Sequence, residues 1–196
     1  MTDPTSLETA LVSASRELLA IGKGFALVGG LAVSIRAEVR FTRDVDLAVR
    51  VADDAEAEGV VLALGSHGYR PVATVEHEVR HRLSTARLVS VQGVKIDLLF
   101  ASSGIEHEIV ERAQPVRLPT IGELSVGASE ELLAMKVLSM TEHRLQDRID
   151  AERLVQCNPG IDLTRVRSNL KLIAERGFDR QQDLQAKLDA VLKAVG

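Results

Sequence analysis

The chain has no tryptophan, one tyrosine and four phenylalanines, so aromatics make up only 3% of its 196 residues. Platforms on which bases could stack are correspondingly scarce. A single cysteine, Cys157, excludes an internal disulfide and any cysteine-built metal cluster, and fits a reducing, cytoplasmic setting. Nothing near it marks an activated thiol, so Cys157 is expected to be a packed helix residue. Basic residues are not in excess: 24 Lys and Arg against 28 Asp and Glu leave a net charge of −4. That argues against a broad nucleic-acid-binding surface. No apolar run approaches ~20 residues and no charged-then-apolar leader opens the chain, so neither a membrane span nor a signal peptide is expected. Repeats and low-complexity segments are also missing. With 45% hydrophobic and 27% charged residues, the composition suits one globular domain, or one domain with a helical appendage.

The stretch Leu27–Val49 is the most informative. An apolar run, Phe25-Ala-Leu-Val28, ends in Gly29-Gly30, and a helical pattern with Leu31, Val33 and Ile35 follows. Then come Thr42-Arg43-Asp44-Val45-Asp46 and Leu47-Ala48-Val49. This reads as strand, glycine turn, helix start and a second strand bearing two carboxylates. Paired glycines let backbone N–H groups approach a ligand, and a helix start favours an anion there. Asp44 and Asp46 are two apart on a strand, so both point to one face. Such close like charges raise each other's pKa unless a cation neutralises them, and hard oxygen ligands suit magnesium.

Acid-x-acid alone carries little weight. Six such tripeptides occur, where the acidic content gives about four by chance. Only Asp44/Asp46 has apolar residues between and after its acids, downstream of a strand-Gly-Gly-helix pattern. A third carboxylate, Asp97, interrupts the apolar strand pattern Val94–Phe100, which follows Arg87–Val91 and a hairpin turn at Gln92-Gly93. It needs a partner if buried. A shared metal site would supply one; the other reading is an exposed Asp beside Lys95 on a polar face. Arg36, Arg40 and Arg43 flank this site and could meet a phosphate. Arg80, His81, Arg82 and Arg87 are read as solvated faces.

Gly29-Gly30, then Asp44-Val45-Asp46, then Asp97 within a strand resembles the nucleotidyltransferase fold of the DNA polymerase beta superfamily. More narrowly, VGGLAV followed by TRDVDLAV is similar to AbiEii-type nucleotidyltransferases, toxins of bacterial toxin–antitoxin and abortive-infection systems. The resemblance covers roughly Leu7 to Val155. It implies transfer of a nucleoside monophosphate from an NTP to an acceptor hydroxyl, with pyrophosphate released. Asp44, Asp46 and Asp97 would be catalytic and would ligate two Mg²⁺ ions, with Asp97 also the general base. Gly29, Gly30, Arg43 and Lys136 would bind the nucleotide. A tRNA end or other RNA is the implied acceptor, and a cognate antitoxin the implied partner. Two alternatives stand beside this: transfer to a small molecule such as an aminoglycoside, or a catalytically silent nucleotide- or partner-binding module.

The fold class expected is α/β (α+β), a mixed twisted sheet with flanking helices over residues 1–127 and a helical region over 128–196. Helices are expected over Leu7–Ala20 with a Thr5/Glu8 capping box, from Asp53 to about Leu64, over Ile105–Ala113 and from Ser129 as N-cap. Two more are expected after Asp162 and from Asp179. Strands are expected near Tyr69–Val75, Arg82–Val91 and Glu123–Val126, the last at an edge. Glu106-His107-Glu108 is read as a solvated helix face, not a metal site. Lys136 stands in an apolar helix stretch, so its ammonium must reach a polar cleft. Lys136, Arg144, Asp147 and Asp150 resemble a Lys…Arg-x-x-Asp-x-x-Asp pattern of the AbiEii type, except that Gln146 replaces a basic residue. Asp147 and Asp150 are read as helix-face salt-bridge partners, with Arg144 answering Asp147.

Overall fold

The computed structural model describes residues 4–77 and 81–196; Arg80 and the Thr5 side chain lie outside what is described. Seven strands form one mixed sheet in the order β3-β4-β5-β2-β1-β7-β6. They are β1 (Phe25–Val28), β2 (Asp44–Val49), β3 (Arg70–His77), β4 (Arg82–Val89), β5 (Lys95–Leu99), β6 (Gln114–Leu118) and β7 (Gly122–Val126). β2 is parallel to β5 and β1 to β7; the other neighbours are antiparallel. Around the sheet lie α1 (Pro4–Ala20), α2 (Gly29–Arg36), α3 (Asp54–Ser66) and α4 (Glu106–Glu111). The chain then continues as α5 (Ser129–Ser139), α6 (Leu145–Cys157), α7 (Leu163–Glu175) and α8 (Leu184–Val195). The expected mixed sheet with flanking helices and a helical C-terminal part is what forms. No helix among the described residues is long and apolar enough to cross a membrane.

Alternation along the strands separates core from cleft. Ala86 and Leu88 of β4, Ile96 and Leu98 of β5, and Val45 and Leu47 of β2 are buried in the core. Thr85, Arg87, Asp97, Asp44 and Asp46 occupy the intervening positions and face a cleft.

Several boundaries differ from expectation for physical reasons. The β4–β5 connection is a three-residue loop, not the two-residue turn Gln92-Gly93. The Ser90 N–H donates to the Val94 carbonyl and the Val94 N–H to the Ser90 hydroxyl, and Gly93, at φ 76°, takes the left-handed position that closes such loops. The register therefore sets Arg87, not Leu88, opposite Asp97. β7 is not an edge strand, because β6 pairs outside it; Pro115 is tolerated there, as edge strands allow. Asp53 and Asp162 cap their helices as expected. Ser129 instead begins α5 and bonds Asn158 Oδ1 at 3.0 Å. The last helix starts after Asp183, not Asp179, since Arg180 and Gln181 have positive φ. Cys157 is exposed, not packed. Glu106 is buried, accepting from the backbone N–H groups of Ser102, Ser103 and Gly104 at 2.7–2.9 Å, so it fixes the loop after β5 rather than facing solvent.

The helical region is tied to itself and to the segment after α4 through one fully buried carboxylate. Glu131, 0% exposed, accepts from Arg165 on α7 (Nε to Oε1, 2.8 Å), Arg112 after α4 (3.2 Å) and Asn169 on α7 (3.1 Å). Its removal leaves two guanidiniums without their shared acceptor. Because both arginines keep some solvent contact, Glu131→Ala is expected to cost about 3 kcal/mol, near the low end for a broken buried pair. Urea denaturation measures it; a loss within 0.5 kcal/mol, the size of an ordinary surface change, would contradict the assignment.

Candidate functional site

Register brings together the groups that chain distance separates. Asp46 on β2 stands beside Asp97 on β5, and Asp97 stands beside Arg87 on β4. Partners on adjacent strands share a face, about 4.8 Å apart. Asp44, two residues before Asp46, lies on that face as well. Arg87 holds Asp97 by a forked contact, Nε to Oδ1 at 2.7 Å and Nη2 to Oδ2 at 2.6 Å. The hydrogen bond to Asp97 raises the pKa of Arg87 still further above its ordinary value. Asp97 is 8% exposed; its partner is therefore Arg87, neither a solvated face nor Lys95.

The glycine turn is fitted to Asp46. Val28, the last residue of β1, pairs with Asp46, and the chain turns there into α2 through Gly29 at φ 64°. A Cβ on Gly29 would lie 1.9 Å from Asp46 Oδ2, so both the backbone conformation and the space require glycine. The next N–H, of Gly30, donates to the Asp46 carboxylate. A Cβ on Gly30 would meet Arg40 Nη2 at 2.8 Å and Thr42 Oγ1 at 2.9 Å. The N-cap residue Val28 offers no side-chain cap to the first turn of α2; Asp46 takes the Gly30 N–H, and the remaining N–H groups of the turn are where an anion would bind.

Lys136 on α5 approaches from the helical side. Its Nζ is 2.8 Å from Asp147 Oδ1 and 2.7 Å from Asp150 Oδ2, both on α6. Asp150 is 1% exposed and also meets Arg40 at 2.8 Å and Gln146 at 2.9 Å. Arg144 Nε meets Asp147 Oδ2 at 2.7 Å. Asp147 and Asp150 are thus not helix-face partners in solvent: they are buried acceptors that hold Lys136 between helices. Hydrogen bonds from Arg40 and Lys136, together with the Lys136 charge, outweigh burial and lower the pKa of Asp150.

These groups line one cleft of about 730 Å³. Of the residues expected at the site, Gly29, Gly30, Asp44, Asp46, Asp97 and Lys136 all line it. Arg43 does not: it is exposed, with its guanidinium 5.2 Å above the Phe41 ring. Arg36 is spent on the carbonyls of Gly127 and Val126, at 3.0 and 3.1 Å. Arg40 takes the place foreseen for Arg43. Two cations that sequence reasoning missed also line the cleft, Arg87 and Arg180. The signal for Arg87 was the hairpin loop length; Arg180, in an irregular loop, gave none. The lining holds five Lys and Arg against four Asp, and Asp150, bonded to Lys136 and Arg40 from behind, balances the fifth cation.

Asp46 is the carboxylate whose charge is least compensated. Burial, then the Asp97 charge, raises Asp46, with a further contribution from Asp44; Lys136 and the Gly30 N–H oppose this, and the result is a pKa pushed up to about 6. Yet among the described residues no three His, Cys, Asp or Glu converge closely enough to hold a metal ion by themselves. Asp97 is held instead by Arg87 on β4. Asp44 and Asp46 alone, sharing a face and under mutual repulsion, fit a hard divalent ion.

A pH dependence follows from Asp46. Its carboxyl binds a proton more tightly in the folded chain, with pKa about 6, than in the unfolded chain, near 3.8. The stabilising contribution is complete below pH ~4 and is lost as pH rises through 6, to a total of about 3 kcal/mol at most. EDTA-treated wild type is expected to lose stability to urea across pH 4–6.5, and Asp46→Asn is not. Parallel pH profiles for the two proteins would contradict the assignment.

Comparison with known proteins gives the family. The family model of the nucleotidyl transferase AbiEii toxin of type IV toxin–antitoxin systems matches residues 11–194. No curated protein matches. Among solved structures, an antigenic nucleotidyltransferase-like protein from Paracoccidioides brasiliensis is similar in fold, with TM-score 0.52 and 16% identity over 95% of this chain and 94% of that one. A lincomycin-bound lincosamide antibiotic adenylyltransferase has TM-score 0.46 and 14% identity over 80% and 98% of the two chains. The Thermotoga maritima CCA-adding enzyme complexed with tRNA has TM-score 0.41 and 18% identity over 97% of this chain and 48% of that one. With the family match running over nearly its whole length, the chain belongs to the AbiEii nucleotidyl transferase toxin family.

Proposed function

We propose that this nucleotidyltransferase moves a nucleoside monophosphate from an NTP to a hydroxyl of an RNA acceptor, a tRNA end, with Mg²⁺, releasing pyrophosphate. It would act in the cytoplasm as the toxin of a pair whose antitoxin restrains it. The observation that carries this reading is the convergence of Asp44, Asp46 and Asp97 on one face beside the Gly29–Gly30 turn. Residues 1–127 form the catalytic core, and residues 128–196 complete the cleft with Lys136.

Asp44 and Asp46 would hold the Mg²⁺, which when bound neutralises charge on the phosphates and lowers the barrier to displacement. Gly29 and Gly30 let the triphosphate approach the open first turn of α2. Lys136, with two of its donors fixed on Asp147 and Asp150, directs its remaining N–H toward the phosphates. Asp97 takes the proton of the acceptor hydroxyl as it exchanges Arg87 for the acceptor. Rate comes chiefly from positioning and fixed charge.

The lining of the cleft speaks to the acceptor. Five cations in the lining, against four carboxylates, offer contacts for the phosphates of an RNA acceptor. Incubation with labelled NTPs, Mg²⁺, total tRNA and an aminoglycoside tests the reading. The wild type is expected to label tRNA, and Asp46→Asn to label it at least 10²-fold more slowly. Equal labelling by both proteins would falsify the assignment. Expression of the wild type is expected to arrest growth and expression of Asp44→Ala to relieve the arrest; equal arrest by both would count against a toxin acting through this site.

A further inference from the structure

The loop between α7 and α8 is held in a backbone conformation that neither of its central residues favours. Arg180 has φ 55° and Gln181 φ 58°. Non-glycine residues persist there only where neighbours over-determine them, and anchors stand on both sides. Before the pair, the buried Phe178 ring packs so closely on Gly104 that a Cβ there would lie 2.4 Å from it, and it lies 4.3 Å from the His77 ring. After the pair, Asp183 caps α8 on the Ala186 N–H at 2.9 Å, and Lys187 Nζ donates to the Met140 carbonyl at 2.5 Å. The turn so fixed carries Arg180 into the catalytic cleft, where it shares the lining with Arg144 and Asp147.

Only a through-space attraction answers this guanidinium among the described residues. Among the described residues Arg180 has no ion pair and no side-chain hydrogen bond. Asp147 is the carboxylate whose charge reaches it, but one oxygen of Asp147 is taken by Lys136 and the other by Arg144. Crowding within the cleft, and then the like charge of Arg144, lower the pKa of Arg180. Arg180 is exposed at the wall of the cleft and stays protonated, so it stands there as a second cation beside Arg144. Lys187 feels the same field, lowered by burial and by Arg180. A left-handed loop that sets a guanidinium without a direct protein partner in the same cleft as Arg144 suits an anion bound by both. A planar fork of N–H donors matches phosphate best.

We propose that Arg180, with Arg144, forms a phosphate clamp on the helical side of the cleft. The clamp rests on the nucleotidyltransferase reading above and adds the C-terminal loop to the substrate-binding residues. The phosphate gripped belongs either to the triphosphate of the NTP or to the backbone of the RNA acceptor. The chemistry is the same, and binding measurements separate the two.

Dissociation constants would be measured by titration calorimetry for the full-length wild type, Arg180→Ala and Arg180→Lys. The ligands are the four Mg²⁺-bound non-hydrolysable NTPs and, separately, an RNA hairpin with a single-stranded 3′ end. Arg180→Ala is expected to weaken one of the two ligand classes about tenfold, the loss of one charge-assisted contact. Arg180→Lys keeps the charge without the fork and is expected to lose severalfold on the same ligand; it carries the test should the alanine variant not fold. Loss confined to NTP assigns the triphosphate, and loss confined to RNA assigns the acceptor backbone. Unchanged affinity of the folded variants for both ligands overturns the clamp while leaving the proposed function standing. A wild type that binds neither ligand overturns both.

Discussion

The site depends on one constraint: carboxylates crowded onto one face of β2 and β5 must each find an opposite charge or a donor. Asp46 has the N–H of Gly30, in a turn so tight that Gly29 has no room for a Cβ. Asp97 has the fork of Arg87. What remains uncompensated shows in the raised pKa of Asp46. A second ring repeats the pattern with the signs reversed. Lys136 faces the cleft and is answered from behind by Asp147 and Asp150, which are answered in turn by Arg144, Arg40 and Gln146. Buried charges of either sign are tolerable only in such alternation, since each unpaired one costs several kcal/mol.

This arrangement explains the topology around it. Parallel pairing of β2 with β5 puts Asp46 and Asp97 side by side although 51 positions part them in the chain. Antiparallel pairing of β1 with β2 brings the glycine turn over Asp46. Neither contact needs the C-terminal helices, but the second ring does. Lys136, Asp147 and Asp150 lie on α5 and α6, and Arg40 reaches them from the segment before β2. The helical region therefore completes the cleft as well as covering the sheet.

Much of the core of this site was legible in the sequence. Asp-x-Asp in an apolar strand after Gly-Gly has few other uses, and Asp97 stood out as a charge inside an apolar run. Lys136 was legible for the same reason, as a cation in an apolar helix. What could not be read depended on contacts with no local signature. The partner of Asp97 turned on whether the β4–β5 loop has two residues or three, since one residue of register exchanges Leu88 for Arg87. Asp147 and Asp150 look like surface acids because their burial is decided by α5, not by their own helix. Pro115 hid β6, which edge strands accommodate. Arg180 lies in a left-handed stretch without glycine or asparagine to announce it. Among the three arginines beside the aspartates, charge alone could not say that Arg40 would face the cleft, Arg36 a strand end and Arg43 a phenylalanine ring.

The central claim is that Asp44 and Asp46, beside the Gly29–Gly30 turn, form a cation and triphosphate site. A crystal structure of the chain with Mg²⁺ and a non-hydrolysable NTP addresses it most directly. The account predicts the ion bound by Asp44 and Asp46 with the triphosphate lying over the glycine turn. A nucleotide bound elsewhere, with both carboxylates still turned only to the protein's own donors, would contradict it.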